Sequence, residues 1–213
     1  MPALEALLGA GAPPAIAILR GIKPGEAAAI GSALVDAGVQ MIEVPLNSPD
    51  PFASIAVLQK EFGANALIGA GTVLDTASVE RLAETGAGLL VAPNTDARVI
   101  ARGVALGLDV LPGFLTPSEA LVAIEAGARR LKLFPASSAG SAFLKAMREV
   151  LRAEIGIWAV GGVDAANAAQ WLGAGAEGVA LGGALYRPGI DPAEVGRRAQ
   201  ALIAAIHSTE NNL

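Results

Sequence analysis

The chain has no cysteine and a single histidine in 213 residues. The first absence removes disulfide frameworks, thiolate nucleophiles and cysteine-ligated zinc. The second nearly removes histidine metal sites, Ser-His-Asp triads and imidazole general bases, since the lone His207 falls near the end of the last predicted helix, where a surface position is expected. Acid–base chemistry in this chain is therefore left to carboxylate, lysine, tyrosine or water. Basic runs are missing too. With a formal net charge of −5 and no Lys/Arg cluster, general binding to nucleic acid or to a membrane surface is not expected, and an anionic ligand has to be held locally by one or two cations and backbone amides. No apolar run is long enough to span a bilayer, and residues 1–14, with Glu5 and no basic start, do not fit a signal peptide. A soluble, cytoplasmic protein is the expectation. Aromatic residues are scarce at 4%, whereas apolar residues reach 53% and glycines number 26. That balance is ample for a large core built on closely packed helices and tight turns.

What the chain does have is a repeat. Glycines that end helices recur before apolar strands: Gly38 before Met41–Leu46, Gly86 before Leu89–Asn94, Gly107 before Asp109–Gly113, Gly127 before Arg129–Pro135 and Gly175 before Gly178–Leu185. The intervals of 48, 21, 20 and 48 residues leave room for one further unit in each long gap. Gly63 before Leu67–Val73 and Gly156 before Ile157–Val163 fill them, and Ala15–Gly21 as a first strand brings the count to eight. Helix signals lie between: Pro24 and Glu26 open a segment to Ala37, Pro49-Asp50-Pro51 the next, and Asp75, Thr95 and Thr116-Pro117 sit as caps or first-turn residues. Ser141–Leu151, Asp164–Leu172 and Asp191–Ile206 complete the set, with Pro2–Leu8 as an extra N-terminal helix. Strand and helix alternating every 20 to 25 residues or so, with no linker, predict one domain over residues 1–213, a (β/α)8 TIM barrel with an extra N-terminal helix. An open doubly wound sheet is the competing topology.

In such a barrel the chemistry belongs at the C-terminal strand ends. Two ionisable side chains, Glu43 and Lys132, sit well inside predicted strands rather than at an edge. Period-2 alternation puts Leu131 and Leu133 on one face and Lys132 and Phe134 on the other, and it separates Glu43 from Ile42, Val44 and Leu46 in the same way. If the branched faces pack on helices, Glu43 and Lys132 share the interior. An ion bridge across the barrel would account for the pair. Burying both charges for stability alone is a poor arrangement, and a lysine of lowered pKa is the nucleophile that makes Schiff bases with carbonyls. Arg20, after the first strand, can hold a carboxylate or phosphate bidentately or be an ordinary loop arginine. Gly161-Gly162 and Gly182-Gly183 end the seventh and eighth strands, where barrels often cradle a phosphate on backbone N–H groups; tight turns also use glycine. Thr72 either donates to a substrate carboxylate or caps a helix, and Phe134 either walls the cavity or packs in the core. Tyr186-Arg187 is a phosphate contact or a surface loop.

Ala17-Ile18-Leu19-Arg20-Gly21, Ile42-Glu43-Val44-Pro45-Leu46-Asn47-Ser48, Gly69-Ala70-Gly71-Thr72-Val73-Leu74, Leu131-Lys132-Leu133-Phe134-Pro135 and Ala159-Val160-Gly161-Gly162-Val163 occur in that order. Together they resemble the pyruvate-forming 2-keto-3-deoxy-6-phospho sugar-acid aldolases, over residues 15 to 190 or so. Pro45-Leu46-Asn47-Ser48 and Ala159-Val160-Gly161-Gly162 are similar to the family's phosphogalactonate branch rather than its phosphogluconate branch. The resemblance implies a class I aldolase of galactonate catabolism, a homotrimer of barrels without cofactor or metal, acting on a small phosphorylated keto-deoxy sugar acid. By position, Lys132 matches the Schiff-base lysine and Glu43 the general acid/base. Arg20 and Thr72 match substrate-binding positions, and Gly161, Gly162, Gly182 and Gly183 match phosphate-site positions. Val160 matches the residue linked to C4 stereochemistry. Gly183 departs from the family, whose members commonly carry Ser there. The competing expectations are a phosphogluconate or 4-hydroxy-2-oxoglutarate aldolase, a phosphosugar isomerase or epimerase with Glu43 as enolising base, and a sugar-phosphate-binding barrel without catalysis.

Overall fold

The structure, a computed structural model, describes residues 3–210. Its strand segments are β1 (Ala15–Ile18), β2 (Met41–Pro45), β3 (Leu67–Gly71), β4 (Leu89–Val91), β5 (Asp109–Leu111), β6 (Gly113–Phe114), β7 (Arg130–Leu133), β8 (Gly156–Val160) and β9 (Gly178–Leu181). Between and around them run α1 (Leu4–Gly9), α2 (Pro24–Asp36), α3 (Pro51–Phe62), α4 (Thr76–Glu84), α5 (Ala97–Ala105), α6 (Pro117–Glu125), the short α7 (Ala136–Ala139), α8 (Ser141–Val150), α9 (Ala168–Gly173) and α10 (Pro192–Glu210). All strand pairings are parallel, in the order β5-β4-β3-β2-β1-β9-β8-β7-β6. The two ends of that order, β5 and β6, are separated in the chain only by Pro112. Proline has no N–H to give to a ladder, so the predicted strand Asp109–Gly113 is one strand broken in the middle. The Pro112 carbonyl still accepts the Lys132 N–H at 2.8 Å. Nine segments therefore fill eight strand positions, and the sheet closes into the (β/α)8 barrel with its N-terminal helix.

Alternation along each strand sorts the side chains into two layers. Ile42, Val44, Ile68, Ala70, Leu131, Leu133, Ile157 and Ala159 face outward into the layer shared with the helices. Ile16, Ile18, Met41, Leu67, Leu89, Leu111, Trp158 and Val160 fill the lumen. Leu4 and Leu7 of α1 belong to that inner cluster, so the helix stoppers the N-terminal end of the barrel, fixed by the Leu4 N–H donating to Asp109 Oδ2 at 2.9 Å. Pro2, with which the predicted helix began, lies outside the described residues. Lower in the barrel, the Glu177 carboxylate accepts from Trp158 Nε1 at 2.6 Å and from Arg130 Nε at 3.0 Å, which satisfies the indole of a fully buried tryptophan.

The five repeat glycines, Gly38, Gly86, Gly107, Gly127 and Gly175, all have positive φ, between 73° and 105°. This is the left-handed turn that ends a helix and returns the chain to the sheet. Gly63 does not share it: with φ −62° it is an αR cap, and a longer turn leads into β3. Predicted bounds also shift, and most strands are shorter than expected, with β3 ending at Gly71 and not Val73, β4 at Val91 and not Asn94, β8 at Val160 and not Val163, and β9 at Leu181 and not Leu185. The first strand stops at Ile18 instead of reaching Gly21. Asp96, not Thr95, caps α5, because Thr95 Oγ1 is turned away to donate to the Gly113 carbonyl at 2.7 Å. The helix expected from Asp164 begins at Ala168: Asp164 Oδ1 accepts the Ala166 and Asn167 N–H groups and holds those residues in a turn.

Candidate active site

Glu43 and Lys132 do reach the interior. They come from β2 and β7, on opposite sides of the lumen, and are 1% and 5% exposed. Packing explains how Glu43 is seated. Its neighbour in register is Gly69, and two residues further along β3 its carboxylate lies over Gly71, where a Cβ would overlap both oxygens. Glycine at 71 is thus the floor on which the acid rests. Glu43 Oε2 is buried with no hydrogen-bond partner among the described residues. Burial is the dominant influence on it and raises its pKa to about 7, against the smaller opposing pull of Lys132 and Arg20. Lys132 has the complementary displacement. Burial lowers its pKa, Glu43 opposes the change, and Arg20 reinforces it. Its Nζ stands 4.7 Å from the centroid of the Phe134 ring, so the aromatic face supplies a cation–π contact to the charged form. The Phe134–Pro135 peptide that ends this stretch is cis.

Beyond the lysine the lumen widens into a cavity of about 300 Å³. Lys132, Phe134, Val160 and Arg20 line it together with Gly161-Gly162 and Gly182-Gly183. The glycine pairs, separate in sequence, are brought together because β8 and β9 are neighbours in the sheet. Arg20 is held from the next loop: its Nη1 donates to Asn47 Oδ1 at 2.7 Å, and the adjoining Gly21 N–H donates to Ser48 Oγ at 2.9 Å. Thr72 stands apart from these walls. It follows β3 directly in a left-handed conformation, φ 56°, which is uncommon for a β-branched residue. Sequence reasoning did not single out Asn47, Ser48 or Gly71 as site residues. Pairing of β1 with β2, which aligns Ile18 with Glu43, is what brings the Asn47 loop to Arg20. Asp164, Ile18, Ala180 and Ala184 also line the cavity and had no signal of their own.

Parallel barrels place their chemistry at the C-terminal strand ends, and an amine of weakened basicity opposite a carboxylate that titrates near neutrality is equipment for chemistry on a carbonyl. Aldolases are the class of enzyme that this describes. Comparison with known proteins gives the same class and narrows it, since residues 12–189 match the family of KDPG and KHG aldolases. The chain belongs to that family of class I aldolases and is a lyase. It is 49% identical to a probable 2-dehydro-3-deoxy-6-phosphogalactonate aldolase of Rhizobium meliloti (strain 1021), over 90% of this chain and 91% of the relative. Identity to the 2-dehydro-3-deoxy-6-phosphogalactonate aldolase of Escherichia coli (strain K12) is 47%, over 90% and 94%. A solved structure described as native KDPGal superimposes with a TM-score of 0.92 at 45% identity, covering 93% of this chain and 96% of that one.

Proposed function

We propose that the protein cleaves 2-dehydro-3-deoxy-6-phospho-D-galactonate to pyruvate and D-glyceraldehyde 3-phosphate through a Schiff base on Lys132. The observation that carries this reading is the buried pair: a lysine whose basicity burial lowers, facing a carboxylate raised to about 7. Neutral Lys132 attacks the C2 ketone, and loss of water gives an iminium that accepts the electrons of the breaking C3–C4 bond. Glu43 moves the protons. It serves as acid and base in forming and dehydrating the carbinolamine, then takes the C4 hydroxyl proton as the aldehyde leaves. Its displaced pKa suits both directions near neutral pH. The enamine is protonated at C3, and hydrolysis releases pyruvate and restores the amine.

Arg20 and the glycine loops hold the anionic ends of the substrate. Phe134 walls the site beside the lysine, Thr72 contributes from the end of β3, and Val160, facing the cavity with no hydroxyl, bears on the configuration preferred at C4. Gly183 offers backbone where a serine side chain is common in the family, so the phosphate rests more heavily on amides. The resemblance to the phosphogalactonate branch, and the names carried by the relatives above, support the galacto substrate. A cytoplasmic homotrimer belongs to the same reading, and the exposed apolar side chains Leu115, Leu121 and Val122, at and beside α6, are suited to a subunit contact. Steady-state cleavage of the two C4-epimeric phosphorylated acids is the test: the galacto epimer is expected to have the higher kcat/KM, and preference for the gluco epimer would overturn the assignment.

A further inference from the structure

The glycine loops at the cavity contain an arrangement that the glycines alone do not explain. Gly161 and Gly162 are consecutive residues of positive φ, 94° and 77°. Their carbonyls are both engaged: Gly161 O accepts the Ser137 N–H at 3.0 Å, and Gly162 O accepts Asn167 Nδ2 at 2.9 Å. In a trans peptide the carbonyl and the following N–H point to opposite sides. The Gly162 and Val163 N–H groups are therefore turned away from Ser137 and Asn167, and they have no hydrogen-bond partner among the described residues. Gly161, Gly162 and Val163 all line the cavity. The second loop is built alike. Arg187 Nε donates to the Gly183 carbonyl at 2.9 Å, and the Gly183 and Ala184 N–H groups, at the same cavity, are also unpartnered among the described residues.

Asn167 is in turn fixed by its surroundings. Its Oδ1 accepts the Asp164 N–H at 3.1 Å, while Asp164 Oδ1 accepts the Asn167 N–H at 3.0 Å and the Ala166 N–H at 2.9 Å. The reciprocal pair sets the amide orientation, since only the NH₂ group can face the Gly162 carbonyl. It also engages Oδ1 of Asp164, a carboxylate on the cavity wall. We propose that Asn167 is a positioning residue for the phosphate end of the substrate: by tethering the Gly162 carbonyl it presents the Val163 amide to a phosphate oxygen. The inference rests on the substrate reading above and adds to it a residue that touches no reacting atom. Without the tether, the Gly162–Val163 peptide is free to rotate, and one charge-assisted bond to the phosphate is lost.

The test compares wild type with Asn167→Ala on two substrates, the phosphorylated keto-deoxy acid and the same acid without its phosphate. The expected result is a rise of about tenfold in KM for the phosphorylated acid with kcat little altered, so that preference for the phosphorylated over the plain acid falls by about tenfold. Equal losses on both acids would indicate a merely structural role and overturn the proposal, as would an unaltered preference. Asn167→Ser keeps a small polar side chain that is too short to reach Gly162; it is expected to behave like Ala and serves if the Ala variant does not fold. Calorimetry with glycerol 3-phosphate separates this inference from the substrate assignment. Should wild type cleave neither acid, the assignment fails, while about tenfold weaker binding of glycerol 3-phosphate by the variant would still uphold the role of Asn167. Equal affinity, or no binding by wild type, would overturn it.

Discussion

Replacing Glu43 by Gln is expected to make the protein more stable at alkaline pH while nearly abolishing its activity. Glutamine keeps the shape that fits over Gly71, so the comparison isolates the charge. In the folded protein burial raises the Glu43 pKa from 4.5 to about 7. The folded state thus holds this proton more tightly than the unfolded chain, and the stability that goes with it is fully present below pH 4.5 and lost as the pH rises through 7. With each pKa unit corresponding to about 1.4 kcal/mol, the whole displacement amounts to about 3 kcal/mol, most of which falls between pH 5 and pH 8. Glutamine does not titrate. Urea unfolding of both proteins at the two pH values should therefore show the variant gaining on wild type by roughly 2 kcal/mol between pH 5 and pH 8. Activity runs the other way, because the base form of Glu43 appears over the same interval and kcat/KM of wild type should climb as stability declines. A stability difference that does not change with pH would refute the claim that an ionisable, desolvated carboxylate occupies this site. Wild-type turnover by Glu43→Gln would refute its role in proton transfer.

Gly71→Ala puts a methyl group into the space of the Glu43 carboxylate, and kcat should fall by at least two orders of magnitude with a folded far-UV spectrum retained; normal kcat would show that the acid can move without consequence. Leu4→Ala leaves a hole in the inner cluster beneath the barrel and should destabilise by about 2–5 kcal/mol in urea titrations, with KM unaltered because the site is at the other end. Asn47→Ala releases Arg20, so KM should increase a few-fold at constant kcat, and unchanged KM would mean that Arg20 needs no support.

Strand number, helix order and barrel closure were legible in the sequence because the units share one pattern, an apolar strand, a polar loop and a helix, which a left-handed glycine closes at Gly38, Gly86, Gly107, Gly127 and Gly175. The interior position of Glu43 and Lys132 was legible for a related reason, since alternation assigns a face to every strand residue once the branched face is known to pack on helices. Other features depend on three-dimensional neighbours. The break at Pro112 arises from a missing N–H at one ladder position, and that position exists only when the sheet has closed. The tie between Arg20 and Asn47 spans 27 residues and two adjacent strand ends. Gly71 reads as a strand-end glycine until the Glu43 carboxylate is seen above it. Asn167 reads as part of a helix until Asp164 is found to hold the turn open before it.

Everything proposed about catalysis depends on Lys132 acting as a nucleophile from within the barrel. Incubation with pyruvate and sodium borohydride, followed by peptide mass spectrometry, tests this most directly. The expected outcome is irreversible loss of activity with one reduced pyruvyl adduct, on Lys132 and not on Lys23, Lys60 or Lys145. An enzyme that stays active and unmodified under those conditions, or one that is modified only at another lysine, would contradict it.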